Sequence, residues 1–155
     1  MCNKLRLTSG LALAFLTSCT NGGIPVSTGG SGGFTITVNL TLNQQQPTPY
    51  GVSSGYAPPV TTVAVGSQIR FMNTDSFTHT ATLIPNATKF PSGSPFSAKA
   101  LQQSGNNLSG GFSSGAMLAG TGSQTINVDK AGTYFFGCFF HYSAPSNMRG
   151  VIVAQ

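Results

Sequence analysis

The sequence predicts an all-β fold, an antiparallel β-sandwich built from about seven to eight short strands. Three observations support this class. Only 6% of the 155 residues are charged, and Gly, Ser, Thr, Asn and Gln carry the polar balance. Apolar and polar residues alternate with a period of two in several short segments. Turn-forming Gly and Pro residues separate these segments, and a chain of this length is enough for one ordinary domain.

The N-terminus has the order of a secretory signal peptide over residues 1–18. Lys4 and Arg6 come first, an apolar run follows at 11–16, and small residues precede Cys19. The run is far shorter than the ~20 apolar residues that a membrane-spanning helix needs. The tetrad LTSC, which ends at Cys19, resembles a bacterial lipobox. This resemblance implies cleavage before Cys19 and lipidation of its thiol, whereas a plain signal peptide is the alternative.

Residues 19–33 are then expected to be the lipidated cysteine and a flexible Gly/Ser-rich linker, and residues 34–155 the folded domain. Without the signal peptide, five basic residues face two acidic ones, which leaves a formal charge of +3. Neither a basic run nor a basic stripe among aromatic residues is present, so nucleic-acid binding is not expected. We expect an exported, monomeric lipoprotein on the periplasmic or outer face of a bacterial membrane.

The strands are expected in order along this domain. FTITVNLTL alternates cleanly, and VTTVAVGSQIRFMN gives two strands around a turn at Gly66. The other expected strands are HTATLI, two strands within SQTINVDKAGTYFFGC, and RGVIVAQ at the end. Residues 43–59 read as a proline-rich loop. Residues 86–121 form a long connection, in which SAKALQQSG could hold one or two helical turns with Ser97 as N-cap and Gly105 near the C-cap.

A possible ligand set occurs near the C-terminus, where Cys138, His141 and Met148 lie within eleven residues. Taken singly, a buried cysteine is usually an inert small side chain and a histidine usually a hydrogen-bonded structural residue. Together, two histidines, a thiolate and a long axial methionine describe a blue-copper electron-transfer site. Zinc more often takes four strong ligands or an open position with a water. The mature chain contains one further histidine, His79.

Three motifs carry a family resemblance. FMNTDSFTHT (71–80) resembles the segment of plastocyanin-type cupredoxins that carries the first copper histidine. AGTYFFGCFFH (131–141) resembles the AGxYxxxCxxH segment of the same family, and MRGVIV (148–153) resembles its Met-x-Gly before the last strand. The resemblance covers 34–155 and implies a Greek-key cupredoxin sandwich.

The resemblance also implies the site. His79 and His141 would bind one type 1 copper through ring nitrogens, Cys138 as a thiolate, and Met148 as the weak axial ligand. Thr80 takes the position of a residue that braces the copper thiolate in such proteins, with an ordinary strand threonine as the alternative.

One departure concerns the axial ligand. Six residues separate His141 from Met148, two more than the usual four. The longer loop could leave Met148 in place or displace its sulfur. Met117 is a distant substitute that is better suited to packing.

The implied function is transfer of single electrons by Cu(I)/Cu(II) cycling, without enzymatic activity, and with His141 as the electron port. An unknown redox donor and acceptor would dock near His141, at Phe139, Phe140 or Tyr142. The main alternative is a periplasmic copper carrier or storage protein without a redox partner. A structural lipoprotein with an immunoglobulin-like sandwich would leave the histidines unexplained. A copper enzyme would need a second copper centre, which two histidines in all do not supply.

Overall fold

The computed structural model describes residues 34–42 and 45–155. The predicted signal peptide, Cys19 and the Gly/Ser-rich linker lie outside the described residues. Within them, no helix combines the length and the apolar character that crossing a bilayer demands.

The described residues form an all-β structure, which confirms the predicted class. Ten strands belong to one sheet in the order β4-β1-β6-β10-β8-β9-β7-β11-β12-β5, and β2 and β3 form a separate hairpin. The strands are β1 (Thr35–Leu40), β2 (Gln46–Thr48), β3 (Gly51–Ser53), β4 (Tyr56–Ala57), β5 (Val60–Val63), β6 (Gln68–Asn73), β7 (Thr82–Leu83), β8 (Gln103–Asn107), β9 (Gly111–Ser114), β10 (Ile126–Asn127), β11 (Gly132–Gly137) and β12 (Arg149–Ala154). Twelve strands in this part of the chain exceed the predicted seven to eight, because the proline-rich loop and the long connection contribute short strands of their own.

The pairing is mixed rather than wholly antiparallel, which corrects the prediction on this point. β1 pairs with β6, β5 with β12, and β8 with β10 in parallel, whereas the other pairs are antiparallel. Parallel neighbours need a long crossover, and the proline-rich segment between β1 and β6 provides one. The end strands of the order, β4 and β5, are consecutive in the chain and separated only by Pro58 and Pro59. The sheet therefore folds back on itself as a sandwich.

The core fills the space inside this sheet. Along β1 the side chains of Val38 and Leu40 are buried while Asn39 between them is exposed, as strand alternation requires. Aromatic rings form the centre of the core, with the Tyr56 and Phe136 centroids 4.7 Å apart. The same cluster extends to three sulfur-containing side chains, those of Met117, Cys138 and Met148.

The long connection is folded. It holds a 3₁₀ helix (Ala98–Leu101) and the strands β8 and β9. Ser97 precedes the helix as predicted, although its side chain makes no capping hydrogen bond. The helix ends before Gly105, because residues 103–107 pair as β8 with β9. Farther back along the chain, Phe90 and Phe96 pack against a second apolar cluster that includes Tyr142.

Candidate metal centre

The three sequence-predicted strong ligands come from two separate parts of the chain. His79 lies just before β7, where its backbone pairs with Met117 through hydrogen bonds of 3.1 and 2.8 Å. Cys138 directly follows β11, and His141 lies in the turn after it. The chain then passes through residues 142–147, here called the ligand loop, to Met148 and β12. The structure thus brings together residues that are about sixty positions apart.

Three ligand atoms form a compact triangle. The Nδ1 atoms of His79 and His141 are 3.2 Å apart, and the Cys138 Sγ lies 3.8 and 3.7 Å from them. A point equidistant from all three lies about 2.1 Å from each, close to the metal–nitrogen and metal–sulfur distances of first-row metals in proteins. A small metal ion therefore fits within the triangle.

The triangle has a buried side and an open side. His79 and Cys138 are fully buried, whereas His141 is partly exposed. Of the three residues, His141 is therefore the one in contact with solvent. This asymmetry agrees with the expectation that His141 is the residue nearest to solvent.

Asp75 orients the buried histidine, a role that the sequence did not reveal. Its Oδ2 lies 3.2 Å from His79 Nε2, so Nε2 carries the proton and Nδ1 presents its lone pair to the triangle. Burial acts to raise the pKa of the Asp75 carboxyl, but hydrogen bonds from the Leu42 N–H, from His79 and from the Ser76 N–H lower it to about 2. The carboxylate is therefore ionised at neutral pH. Its position four residues before His79 was the available signal.

The Cys138 thiol lies in a pocket of backbone donors. The Thr80 N–H points at Sγ from 3.4 Å, and the Thr80 hydroxyl accepts a 2.8 Å hydrogen bond from the Phe139 N–H. Burial raises the pKa of the Cys138 thiol, and the donors from Thr80, Phe140 and His141 only partly oppose it. The thiolate therefore needs a bound cation to displace the proton. Thr80 lies where the family resemblance expects a brace.

His141 is prepared to act as a neutral ligand. Burial lowers the pKa of its imidazole, electrostatic repulsion from nearby His79 lowers it further, and Asp75 opposes the shift. A histidine ligand must be unprotonated at the atom that binds the metal. The lowered pKa therefore favours the uncharged imidazole, which is the form that can bind a metal.

Met148 stays beside the centre despite the longer ligand loop. It is fully buried; its N–H donates to the His141 carbonyl over 2.9 Å, and its carbonyl accepts from the Cys138 N–H over 3.1 Å. Its thioether packs so closely on Gly55 that a Cβ added there would lie 3.0 Å from the sulfur. Met117 is also buried and pairs with His79 through its backbone.

The open side of the centre is apolar. Phe77, Leu118 and Phe140 are 57%, 63% and 46% exposed, and we call these three residues the apolar rim. The rings of Phe77 and Phe140 have centroids 6.5 and 6.2 Å from that of His141. Leu118 follows Met117, whose backbone pairs with His79.

The aromatic residues considered for docking differ in exposure. Phe140 is exposed, Phe139 is half-buried, and Tyr142 is 1% exposed. The Tyr142 hydroxyl donates to the Pro91 carbonyl over 3.1 Å. Tyr142 therefore anchors the ligand loop to the long connection and is not available at the surface.

The fold and the Cys-His-His centre together define a cupredoxin, and the donor set fits a single type 1 copper ion. The chain belongs to the sulfocyanin (SoxE) domain family, whose model matches residues 31–155. This family assignment confirms the resemblance noted in the sequence.

Several solved structures resemble this chain at low sequence identity. A reduced amicyanin that carries a tryptophan-to-tyrosine mutation is 16% identical with a TM-score of 0.50, over 78% of this chain and 82% of that chain. A purple cupredoxin from Nitrosopumilus maritimus is 18% identical with a TM-score of 0.48, over 77% of this chain and 98% of that chain. Among curated proteins no match was found.

Proposed function

We propose that the protein is a blue copper electron carrier without enzymatic activity, and that His79, Cys138, His141 and Met148 hold its copper. The observation that carries the proposal is the triangle of two imidazole nitrogens and one thiol sulfur, 3.2 to 3.8 Å apart. Bound copper would supply a one-electron couple. The protein contributes ligands that hydrogen bonds hold in position.

Each proposed ligand takes part in such hydrogen bonds. Asp75 fixes the His79 ring, Thr80 braces the Cys138 sulfur, and the backbone of Met148 bonds to both Cys138 and His141. Ligands held in this way keep nearly the same positions in both oxidation states, so little rearrangement opposes electron transfer. The buried side excludes water, and the partly exposed His141 provides the shortest path to a partner.

Titration of the purified protein with Cu(II) tests the proposal. We expect one copper per chain, an intense thiolate-to-copper absorption in the visible range, and a narrow copper hyperfine splitting in the EPR spectrum. Reduction and reoxidation should remove and restore the absorption. Tight copper binding without the absorption, or without reversible reduction, would instead favour a copper carrier or storage protein.

His141→Gly should produce a centre that free imidazole can repair. The substitution leaves an opening on the solvent side, and added imidazole should restore most of the thiolate-to-copper absorption at millimolar concentration. His79→Gly is the matched control, because His79 is fully buried and its vacancy is closed to solvent. Visible titrations of both copper-loaded variants make the comparison. Equal rescue of the two would contradict the assignment of His141 as the accessible ligand.

We further propose that redox partners dock on the apolar rim. Phe140→Lys should slow electron self-exchange between two molecules at low ionic strength by roughly fivefold or more, because two like charges then meet across the contact. Added salt should restore the rate. Val65→Lys is the control, since it adds the same charge to another exposed residue. Val65 follows β5 and bonds to Gln155, at the end of β12 that is farthest from Met148. NMR line broadening measures both rates, and an equal effect of the two variants would argue against docking at the rim.

For the location of the protein, we propose attachment to a bacterial membrane through a lipid on Cys19. Cys19→Ala should then move the protein from the membrane to the aqueous fraction and leave its copper spectrum unchanged. The reason is that each buried CH₂ of an acyl chain contributes about 0.8 kcal/mol to membrane attachment, and two chains make attachment stable. Fractionation of cells that express each form measures the change. Unaltered membrane partition would refute the lipobox interpretation.

A further inference from the structure

The conformation of the ligand loop affects the positions of two proposed ligands, because each end of the loop adjoins one of them. Tyr142 directly follows His141, and Asn147 directly precedes Met148. A loop that is two residues longer than usual has more conformations to lose when its ends are fixed. Movement at either end would shift a ligand, and the hydrogen bond from the Met148 N–H to the His141 carbonyl joins the two ends through the backbone alone.

The side chain of Arg149 contacts both ends. Its Nε donates to the Tyr142 carbonyl over 3.0 Å, and its Nη2 donates to Asn147 Oδ1 over 2.7 Å. The central guanidinium carbon also lies 4.6 Å from the centroid of the Tyr142 ring. A planar guanidinium donates in fixed directions and can stack its plane on an aromatic face, whereas an ammonium group is a compact point charge without a plane.

The two residues that Arg149 contacts, Tyr142 and Asn147, are held in place by other contacts. Tyr142 is buried, its hydroxyl bonds to the Pro91 carbonyl, and its ring meets the edge of Phe96 at 5.4 Å. Asn147 adopts a φ of 50° and donates from its N–H to the Ser143 carbonyl over 3.0 Å. Arg149 thus joins a wall of the core to the turn that precedes Met148.

No carboxylate competes for this guanidinium. Among the described residues, the one ion pair links His79 and Asp75. The Arg149 guanidinium instead contacts neutral carbonyl and amide oxygens and an aromatic ring. Hydrogen bonds from a charged donor are roughly twice as strong as neutral ones. The contact therefore serves to order the ligand loop.

We propose that Arg149 is the positioning residue that closes the ligand loop and thereby holds His141 and Met148 at the copper centre. The proposal rests on the proposed function. It predicts that a point charge at this position is an inadequate replacement, and that the effect of the side chain appears at the metal as well as in the stability of the fold.

Arg149→Lys tests the proposal, because it keeps the charge and removes the planar fork. We expect the copper-loaded variant to keep its thiolate absorption, to release copper to a chelator about tenfold faster, and to show a changed hyperfine splitting and reduction potential. Arg70→Lys, an identical substitution at an exposed site on β6, is the control and should leave all three unchanged.

The outcomes separate the two proposals. Absence of the thiolate absorption in the unmodified protein refutes the proposed function. Normal absorption in that protein, with Arg149→Lys altering only the melting temperature, overturns the positioning role. If Arg149→Lys does not fold, Asn147→Gly serves instead, because glycine tolerates the positive φ and the substitution removes one of the two hydrogen bonds. An unchanged release rate, hyperfine splitting and potential in that variant overturn the role equally.

Discussion

Replacing Cys138 with serine should abolish the intense visible absorption of the copper-loaded protein. The absorption arises from charge transfer between a thiolate and copper, and a serine hydroxyl has no electron pair of comparable energy to offer. The two imidazole nitrogens, 3.2 Å apart, remain and should still bind copper. Loss of one of the three strong ligands should weaken the affinity by more than about 100-fold, since changes in residues that merely support a ligand already cost roughly 10–100-fold.

Visible and EPR spectra of the copper-titrated variant check this result. Cys19→Ser is the matched control, because it makes the same chemical change outside the folded domain and should retain the full absorption. We expect the Cys138→Ser variant to fold normally, since the substitution is nearly isosteric. Persistence of the absorption in that variant would show that Cys138 is not the copper thiolate.

Replacing Gly137 with alanine should lower the free energy of unfolding by about 1–3 kcal/mol, the usual effect of adding a methyl group to a close-packed core. The new Cβ would lie 2.6 Å from Cδ2 of the Tyr142 ring and 3.1 Å from the Met148 carbonyl oxygen. Neither atom is the end of a flexible chain. Relief of the clash must move Tyr142 or the backbone of Met148, and both movements reach the copper centre.

Denaturant titration of the metal-free protein measures the loss, and the EPR spectrum of the copper-loaded protein reports the movement. Gly93→Ala is the matched control, because a Cβ there would meet nothing within 4 Å. We expect that variant to differ from the unmodified protein by less than about 0.5 kcal/mol. Equal stability of the two alanine variants would mean that the close contact at Gly137 is not present in solution.

Several features of the fold could be predicted because they depend on local alternation. Apolar residues alternate along β1 and β6, which bury one face each, and run together along β12, which is buried on both faces. The parallel pairing of these strands was missed, since alternation determines which side of a strand is buried and carries no information about its neighbour. The strands β8 and β9 were missed for a related reason: β8 is exposed throughout and has little apolar pattern.

At the centre, the residue types alone indicated the copper site. Two histidines and one cysteine in residues 34–155 leave few alternatives for soft metal ligands, and the Cys-x-x-His spacing identified the turn. The sequence also showed the longer ligand loop, and in spite of its length the backbone of Met148 bonds to Cys138 and His141.

The contacts between distant segments were established only by the tertiary structure. Gly55 lies against the Met148 thioether although the two are far apart in the chain, and Tyr142 is buried because the long connection covers it. Asp75 is close to His79 in the sequence, but only the folded loop directs its carboxylate at the ring nitrogen. The sequence by itself determined which atoms can bind copper, because ligand chemistry belongs to the residue type. Their orientation depends on packing between segments that become neighbours only when the chain folds.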